Sequence, residues 1–366
     1  MAGNTIGRHL TLTTFGESHG RALGMVLDAF PAGMALSEDD IRPYLDRRKP
    51  GTSAFTTARK EADEVEILSG VFEGKTTGTP IAMLVRNTDA HSADYDSLKD
   101  VFRPGHADFG YAAKYGLRDH RGGGRASGRE TVSRVMAGAV CAKLLKEMQI
   151  DVCAYTKSIG DITIDPARFD RRLIYEHPLA MPDPEAAKKA EDYVSALAAQ
   201  KDSAGGVVEC VITKVPAGIG DPVFDKLDAR FAEALMSIGA VKAVECGDGA
   251  SVSLRKGSEN NDAMHWEDGA VRMSANHAGG ITGGITNGAD ILLRAHIKPT
   301  PSIAAPQRTA GADGQEHLLE IKGRHDPVIV PRAVVVVEAM CAFTLLDAML
   351  FGMAARAKDV RSFYRS

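Results

Sequence analysis

Apolar residues along this chain recur with two periods, and the places where the period changes divide it into elements. Residues Leu10 to Thr14 and Leu23 to Asp28 alternate or run apolar and predict two strands. Between them lies the turn Phe15-Gly16-Glu17-Ser18-His19-Gly20, with a glycine on each side. Pro31-Ala32-Gly33 closes that unit, and Ser37 before Glu38, Asp39 and Asp40 predicts a capped helix with acids in its first turn. That helix should end near Arg47-Arg48-Lys49, where Pro50-Gly51 stops it. Val65 to Leu68 and Pro80 to Val85 predict strands joined by a tight turn at Gly74.

Further on, Val132, Val135, Met136, Ala139, Val140, Leu144 and Met148 stand at helical spacing and predict a helix over Glu130 to Met148. Strands are expected at Asp151 to Ile164, Val207 to Val215, Val241 to Cys246 and Ile291 to Lys298. Helices are expected from about Pro184 to Gln200, from Asp225 to Ser237 and from Val334 to Met353, with a loosely held tail beyond Lys358. Strands and helices come mixed rather than in regular βαβ alternation, so the pattern predicts an α+β fold over a doubly wound sheet. No Pro/Ser-rich linker divides the chain, and one compact unit spanning residues 1–366 is expected. The apolar run Ala333 to Met353 carries Glu338 and Asp347, with Pro331 before it, which suits a buried or interface helix better than a membrane span.

Composition narrows the functional classes. The chain has 366 residues, 44% hydrophobic and 25% charged, with a formal net charge of −4. A protein of that charge is not a general nucleic-acid binder, so any attraction for an anion must be local. Its five cysteines are odd in number, far apart and without a CxxC, which argues for reduced thiols, a cytoplasmic setting and no structural zinc. The first residues have no secretory pattern.

Candidate chemistry concentrates between Arg103 and Arg134. Arg103, Arg118, Arg121, Arg125, Arg129 and Arg134, His106 and His120, and the run Gly122-Gly123-Gly124 all fall there, immediately before the predicted helix. Glycines admit a ligand close to the backbone, arginines offer forked donors, and a helix N-terminus favours anions. His19 and His106 both sit in glycine-bearing turns and are candidates for proton transfer. Lys298-Pro299-Thr300-Pro301-Ser302 and Arg324-His325-Asp326-Pro327 are further polar turns. Ser69 to Thr76 approaches a nucleotide P-loop, but only three residues separate Gly70 from Gly74 and Pro80 follows, so a plain hairpin turn is the expectation. There is no GxSxG elbow, no GxGxxG after a strand and no metal-ligand spacing. These features together predict a cytosolic enzyme for a multiply anionic small molecule, without naming its reaction.

Seven blocks in order resemble the chorismate synthase family. They are Thr14 to Gly20, Asp46-Arg47-Arg48, Phe102 to Asp108, Arg121 to Ser127, Asn276-His277-Ala278-Gly279-Gly280, Lys298-Pro299-Thr300 and Gly323 to Pro327. The resemblance runs from the first residues to about residue 350. It implies a lyase that converts 5-enolpyruvylshikimate 3-phosphate to chorismate and phosphate by anti-1,4 elimination, the last common step towards the aromatic amino acids. It implies reduced FMN as cofactor, NADPH only as a flavin reductant, a β-α-β sandwich and a homotetramer.

By family position, Arg48, Arg129, Arg134 and Arg332 would bind the substrate, and His19 would protonate or hydrogen-bond the departing phosphate. His106 would face the reduced flavin, both histidines acting as imidazolium. Asp326 would accept a proton, relayed with Ser18 and Ser127. The matching FMN positions are Arg125, Ala126, Ser127, Gly239, Ala240, Gly283, Lys298, Pro299, Thr300, Pro301, Ser302 and Arg324. The chain departs from the family at Ala54, where many bacterial relatives carry an arginine near a substrate or pyridine-nucleotide contact; Arg59 is the candidate to take its place, though no sequence feature assigns it that role. Ala126, Gly239 and Pro301 replace a common serine, asparagine and serine. Two other readings are a phosphate-handling transferase built on the Gly70 to Thr76 turn and a non-catalytic flavin-binding relative.

Overall fold

The computed structural model describes residues 3–49, 63–87, 99–321 and 326–365. Two five-stranded antiparallel sheets enclose a layer of helices. The first sheet holds β1 (Thr5–Ile6), β2 (Thr11–Gly16), β3 (Ala22–Asp28), β4 (Val65–Ile67) and β5 (Ile81–Arg86), in the order β1-β2-β3-β5-β4. The second holds β6 (Asp151–Ile159), β7 (Ile162–Thr163), β8 (Gly206–Thr213), β9 (Val241–Cys246) and β10 (Ile291–Ile297), in the order β9-β10-β8-β6-β7. The helices longer than one turn are α1 (Glu38–Arg48), α2 (Asp108–Tyr115), α3 (Thr131–Glu147), α4 (Pro184–Ala199), α5 (Leu227–Met236), α6 (Val330–Gly352) and α7 (Ala357–Phe363). This is the α+β sandwich that the sequence led one to expect.

Period-2 patterning turns one face of each sheet inward: Leu23, Met25 and Leu27 of β3, and Val208, Cys210 and Ile212 of β8, are buried, whereas Val26, Asp28, Val211 and Thr213 on the opposite faces are less so. Between the sheets α3 packs on α6, with α3 touching the first sheet and α6 lying against β6 and β8. Gly138 makes the helix contact close, because a β-carbon there would stand 2.2 Å from that of Ala339. One continuous buried cluster draws on both sheets and on α1, α3, α5 and α6. Helix α6 is apolar on all sides because it is surrounded, and 83% of its most apolar window is buried inside the fold. Its two acids are paired: Glu338 takes both Nη groups of Arg47, and Asp347 accepts from Arg230 and from the backbone of Arg8, His9 and Leu10. The five cysteines are free thiols.

Two local expectations change. The apolar stretch from Asp151 to Ile164 is not one strand, because Gly160 at φ +57° turns it back as the β6–β7 hairpin. The Gly74 turn does not join β4 to β5 directly; it closes a separate hairpin, Val71–Phe72 with Lys75–Thr76, in which Glu73 and Gly74 both take positive φ. The strand β5 follows it where a phosphate loop needs a helix, so the phosphate-loop reading of Gly70 to Thr76 fails on geometry. In the tail, Asp359 to Phe363 belong to α7, whose residues are exposed. The expected stop at Pro50-Gly51 lies outside the described residues.

Candidate active site

One cleft of about 930 Å³ opens where four helix ends meet. The N-terminal turns of α3 and α6 face it through Ser127 to Arg134 and through Asp326 to Val336, and Arg48 enters from the last turn of α1. Residues at the start of α2 and the segment after β10 complete the wall. Two helix N-termini directed at one space add partial positive charge to it. The lining cations Arg48, Arg103, Arg118, Arg125, Arg129, Arg134, Lys298 and Arg332 outnumber the acids Glu17, Asp108, Asp119, Glu130 and Asp326. A chain that is acidic overall thus concentrates positive charge locally, as the composition required.

The lining arginines are fixed by partners, Arg103 and Arg118 both by Asp108. Arg48 and Arg129 share Asp63, one guanidinium on each carboxylate oxygen, and all three are buried. Burial pushes the Asp63 carboxyl up, but the two guanidinium groups outweigh it and hold it below its ordinary range. Arg134 donates to Glu130 at 2.9 Å and to the Ser237 hydroxyl and carbonyl. Arg332 donates to Asp326 at 2.6 Å and to the Arg48 carbonyl at 3.0 Å. Arg125 reaches back to β2, donating to the Thr14 hydroxyl at 2.5 Å and to the Gly16 carbonyl at 3.1 Å.

His106 donates through Nδ1 to the Pro104 carbonyl at 3.0 Å, and its Nε2 lies 2.9 Å from the Ser302 hydroxyl. Burial first, then Arg103 and Lys298, lowers its pKa to about 4, against the opposing pull of the Pro104 carbonyl and Asp108. His106 is therefore neutral near pH 7 in this state, and Nε2 accepts from Ser302. The imidazolium expected from sequence needs an added anion beside it. Lys298 donates to the Gly105 carbonyl at 2.7 Å, and Gly105 at φ +70° lets Pro301 pack against it. The Thr300 hydroxyl is buried with no hydrogen-bond partner among the described residues.

Ser18 and His19 do not line the cleft; they stand directly behind Gly122, which does. The Ser18 hydroxyl lies 3.1 Å from His19 Nδ1. Of the other residues singled out from sequence, His106, Asp326, Ser127, Arg48, Arg129, Arg134, Arg332, Arg125, Ala126, Gly239, Ala240, Lys298, Thr300, Pro301 and Ser302 all line it. Pro299 does not, since it packs against Gly205, and Gly283 does not, since it stands at the tip of the hairpin Ile281–Thr282 with Ile285–Thr286. Arg324, Ala54 and Arg59 lie outside the described residues. Asp63, Asn87, Arg103, Arg118 and Glu130 were not singled out as site residues. Of these, Arg103, Arg118 and Glu130 gave a hint, by falling inside the arginine-rich stretch. Among the described residues no group of histidine, cysteine and acidic side chains could hold a metal.

Residues 10–350 match the family model described as chorismate synthase. The chain is 55% identical to a chorismate synthase of Agathobacter rectalis over 365 residues, covering 100% of both. It is 56% identical to one of Methanocella arvoryzae over 355 residues, covering 96% of this chain and 95% of that one. A solved crystal structure of chorismate synthase superposes with a TM-score of 0.77 at 33% identity, over 98% of this chain and 97% of the other.

Proposed function

The chain belongs to the chorismate synthase family, and from that membership we propose that it converts 5-enolpyruvylshikimate 3-phosphate to chorismate and phosphate by anti-1,4 elimination, with reduced FMN in the cleft. The observation that carries this reading is the convergence of Arg48, Arg129, Arg134, Arg332 and His106 on one cleft, with His19 directly behind its Gly122 wall. A substrate with two carboxylates and a phosphate needs several fixed cations, and four forked donors from α1, the start of α3 and the start of α6 can meet those groups from different sides.

The residues present fit a flavin. The cleft volume falls in the ordinary range for a cofactor site. Backbone lies open along Gly122-Gly123-Gly124, and the Thr300 hydroxyl is a buried polar group awaiting a partner. Arg125, Ala126, Ser127, Gly239, Ala240, Lys298, Thr300, Pro301 and Ser302 would hold it. When bound, the reduced flavin supplies electron density as the phosphate leaves and a nitrogen that takes up the ring hydrogen. His19, braced by Ser18, would hydrogen-bond or protonate the departing phosphate. Neutral His106 would gain its proton as negative charge arrives nearby. Asp326, fixed by Arg332, would accept a proton, with Ser18 and Ser127 as relay hydroxyls. NADPH enters this reading only as a flavin reductant. The same reading takes the chain as one catalytic domain, cytoplasmic and homotetrameric.

The test is anaerobic incubation with substrate and dithionite-reduced FMN, following chorismate and phosphate. Equimolar release of both supports the lyase. FMN binding without either product would put the non-catalytic flavin-binding reading in its place. Repetition with NADPH and oxidised FMN decides self-reduction, and light scattering decides the tetramer.

A further inference from the structure

Asn87 follows directly on β5 and does not line the cleft, yet its side chain joins two parts that do the work there. Its Oδ1 accepts from Arg129 Nε at 3.1 Å. Its Nδ2 faces the carbonyls of Gly20 at 2.8 Å, Glu17 at 3.2 Å and Ser18 at 3.4 Å, and its backbone N–H donates to the Arg21 carbonyl. The amide orientation follows from its neighbours, because three carbonyls demand the NH2 and a guanidinium demands the oxygen. The Glu17 to Gly20 turn carries His19, while Arg129 is set at its other end by Asp63 and at its backbone by the Ser127 hydroxyl, 3.2 Å away.

We propose that Asn87 is a positioning residue, which fixes the His19 turn against Arg129 so that the proton-handling group and an anion-binding group keep one spacing. The proposal takes the roles of His19 and Arg129 from the reading above; the bracket itself is geometry. Asparagine suits the task because one short neutral side chain both donates and accepts. Aspartate would keep the acceptor for Arg129 but turn an anion towards the turn carbonyls. Alanine would release both sides. Displacement of a reacting group by about 1 Å can lower turnover roughly 10²-fold, whereas loss of an anion contact appears in KM and in ligand affinity.

Asn87→Asp and Asn87→Ala therefore separate the two functions. In the full-length protein, Asn87→Asp should leave KM and the Kd for inorganic phosphate within about threefold while kcat falls roughly thirtyfold or more. Asn87→Ala should lower kcat and also raise KM and the phosphate Kd about tenfold. Flavin affinity and melting temperature serve as folding controls, and if the alanine variant does not fold, Asn87→Ser replaces it. Wild-type kcat in Asn87→Asp, or unchanged KM and phosphate Kd in the variant that releases Arg129, overturns the proposal. Absence of turnover in the wild type would instead refute the reaction assigned above. The bracket is then read from the phosphate Kd and from the ring 15N shifts of His19, and unchanged values in the variants overturn it.

Discussion

A β-carbon placed on Gly122 would stand 2.3 Å from Nδ1 of His19 and 2.8 Å from the Ser18 hydroxyl. Backbone strain is not the reason glycine is needed here, since Gly122 is not among the glycines with positive φ. The constraint is contact: the central glycine run lets the His19 turn close against the cleft wall. Gly122→Ala should therefore push the Ser18–His19 pair away and lower kcat by about 10²-fold. The accompanying loss of stability should stay within about 1–3 kcal/mol, as for other overpacked sites. Turnover and a denaturant midpoint measured on the same preparation check this, and wild-type turnover would show that His19 need not touch Gly122.

Lys75 separates the lyase from the transferase. It lies exposed on the Val71–Phe72 and Lys75–Thr76 hairpin, outside the cleft wall. Lys75→Ala should leave chorismate formation unchanged within about twofold, as surface substitutions away from a site do. A large drop, or ATP binding that vanishes with the lysine, would restore the hairpin as a functional element.

Much of this architecture was legible because it is local. Helix α3 declares itself by the spacing from Val132 to Leu144, and α1 by Ser37 and the acids after it. The arginine- and glycine-rich stretch marked the cleft because backbone approach and cation density are both written in consecutive residues. What stayed hidden acts at a distance. Asp63 meets Arg129 across 66 positions, and Asn87 meets it across 42, with no local pattern to reveal either. Gly160 ends β6 within a run that remains apolar beyond it, so periodicity carried the expected strand too far. The hairpin Met264–Glu267 with Ala270–Met273 is almost wholly exposed and has no buried face to impose an alternation. Pro299, assigned by resemblance, stands between the cleft-lining Lys298 and Thr300 without lining the cleft itself, and Gly283 lies on a hairpin that contributes nothing to the cleft wall of this chain.

Asp347 should be the largest single contributor to stability among the buried acids. It is fully buried on α6, accepts from the N–H groups of Arg8, His9 and Leu10 at 2.8 Å each, and pairs with Arg230. It thereby ties the N-terminal segment and α5 to the central helix. Asp347→Ala leaves a buried guanidinium without its carboxylate, a change that typically costs about 3–5 kcal/mol. Asp347→Asn keeps one acceptor oxygen and should lose less. Urea midpoints at fixed pH test the ranking, and equal midpoints for wild type and Asp347→Ala would refute it.

His106 sets a pH dependence whose sign follows from its surroundings. Burial, Arg103 and Lys298 hold its folded pKa at about 4, below the ordinary 6.5. Below pH 6.5 the unfolded chain takes up the proton before the folded one does, so stability rises with pH across this window. The contribution is fully present above 6.5 and is lost as pH falls towards 4. His106→Asn should flatten the acid side of the stability profile over that interval. Binding reverses the balance, because an anion beside the ring favours imidazolium. Occupation of the cleft near pH 6 should then draw in a proton, detectable by calorimetry in buffers of different ionisation enthalpy, and His106→Asn should abolish that uptake. Binding without proton uptake in the wild type would mean that no negative group comes to rest beside His106, and its role beside an anionic flavin would have to be given up.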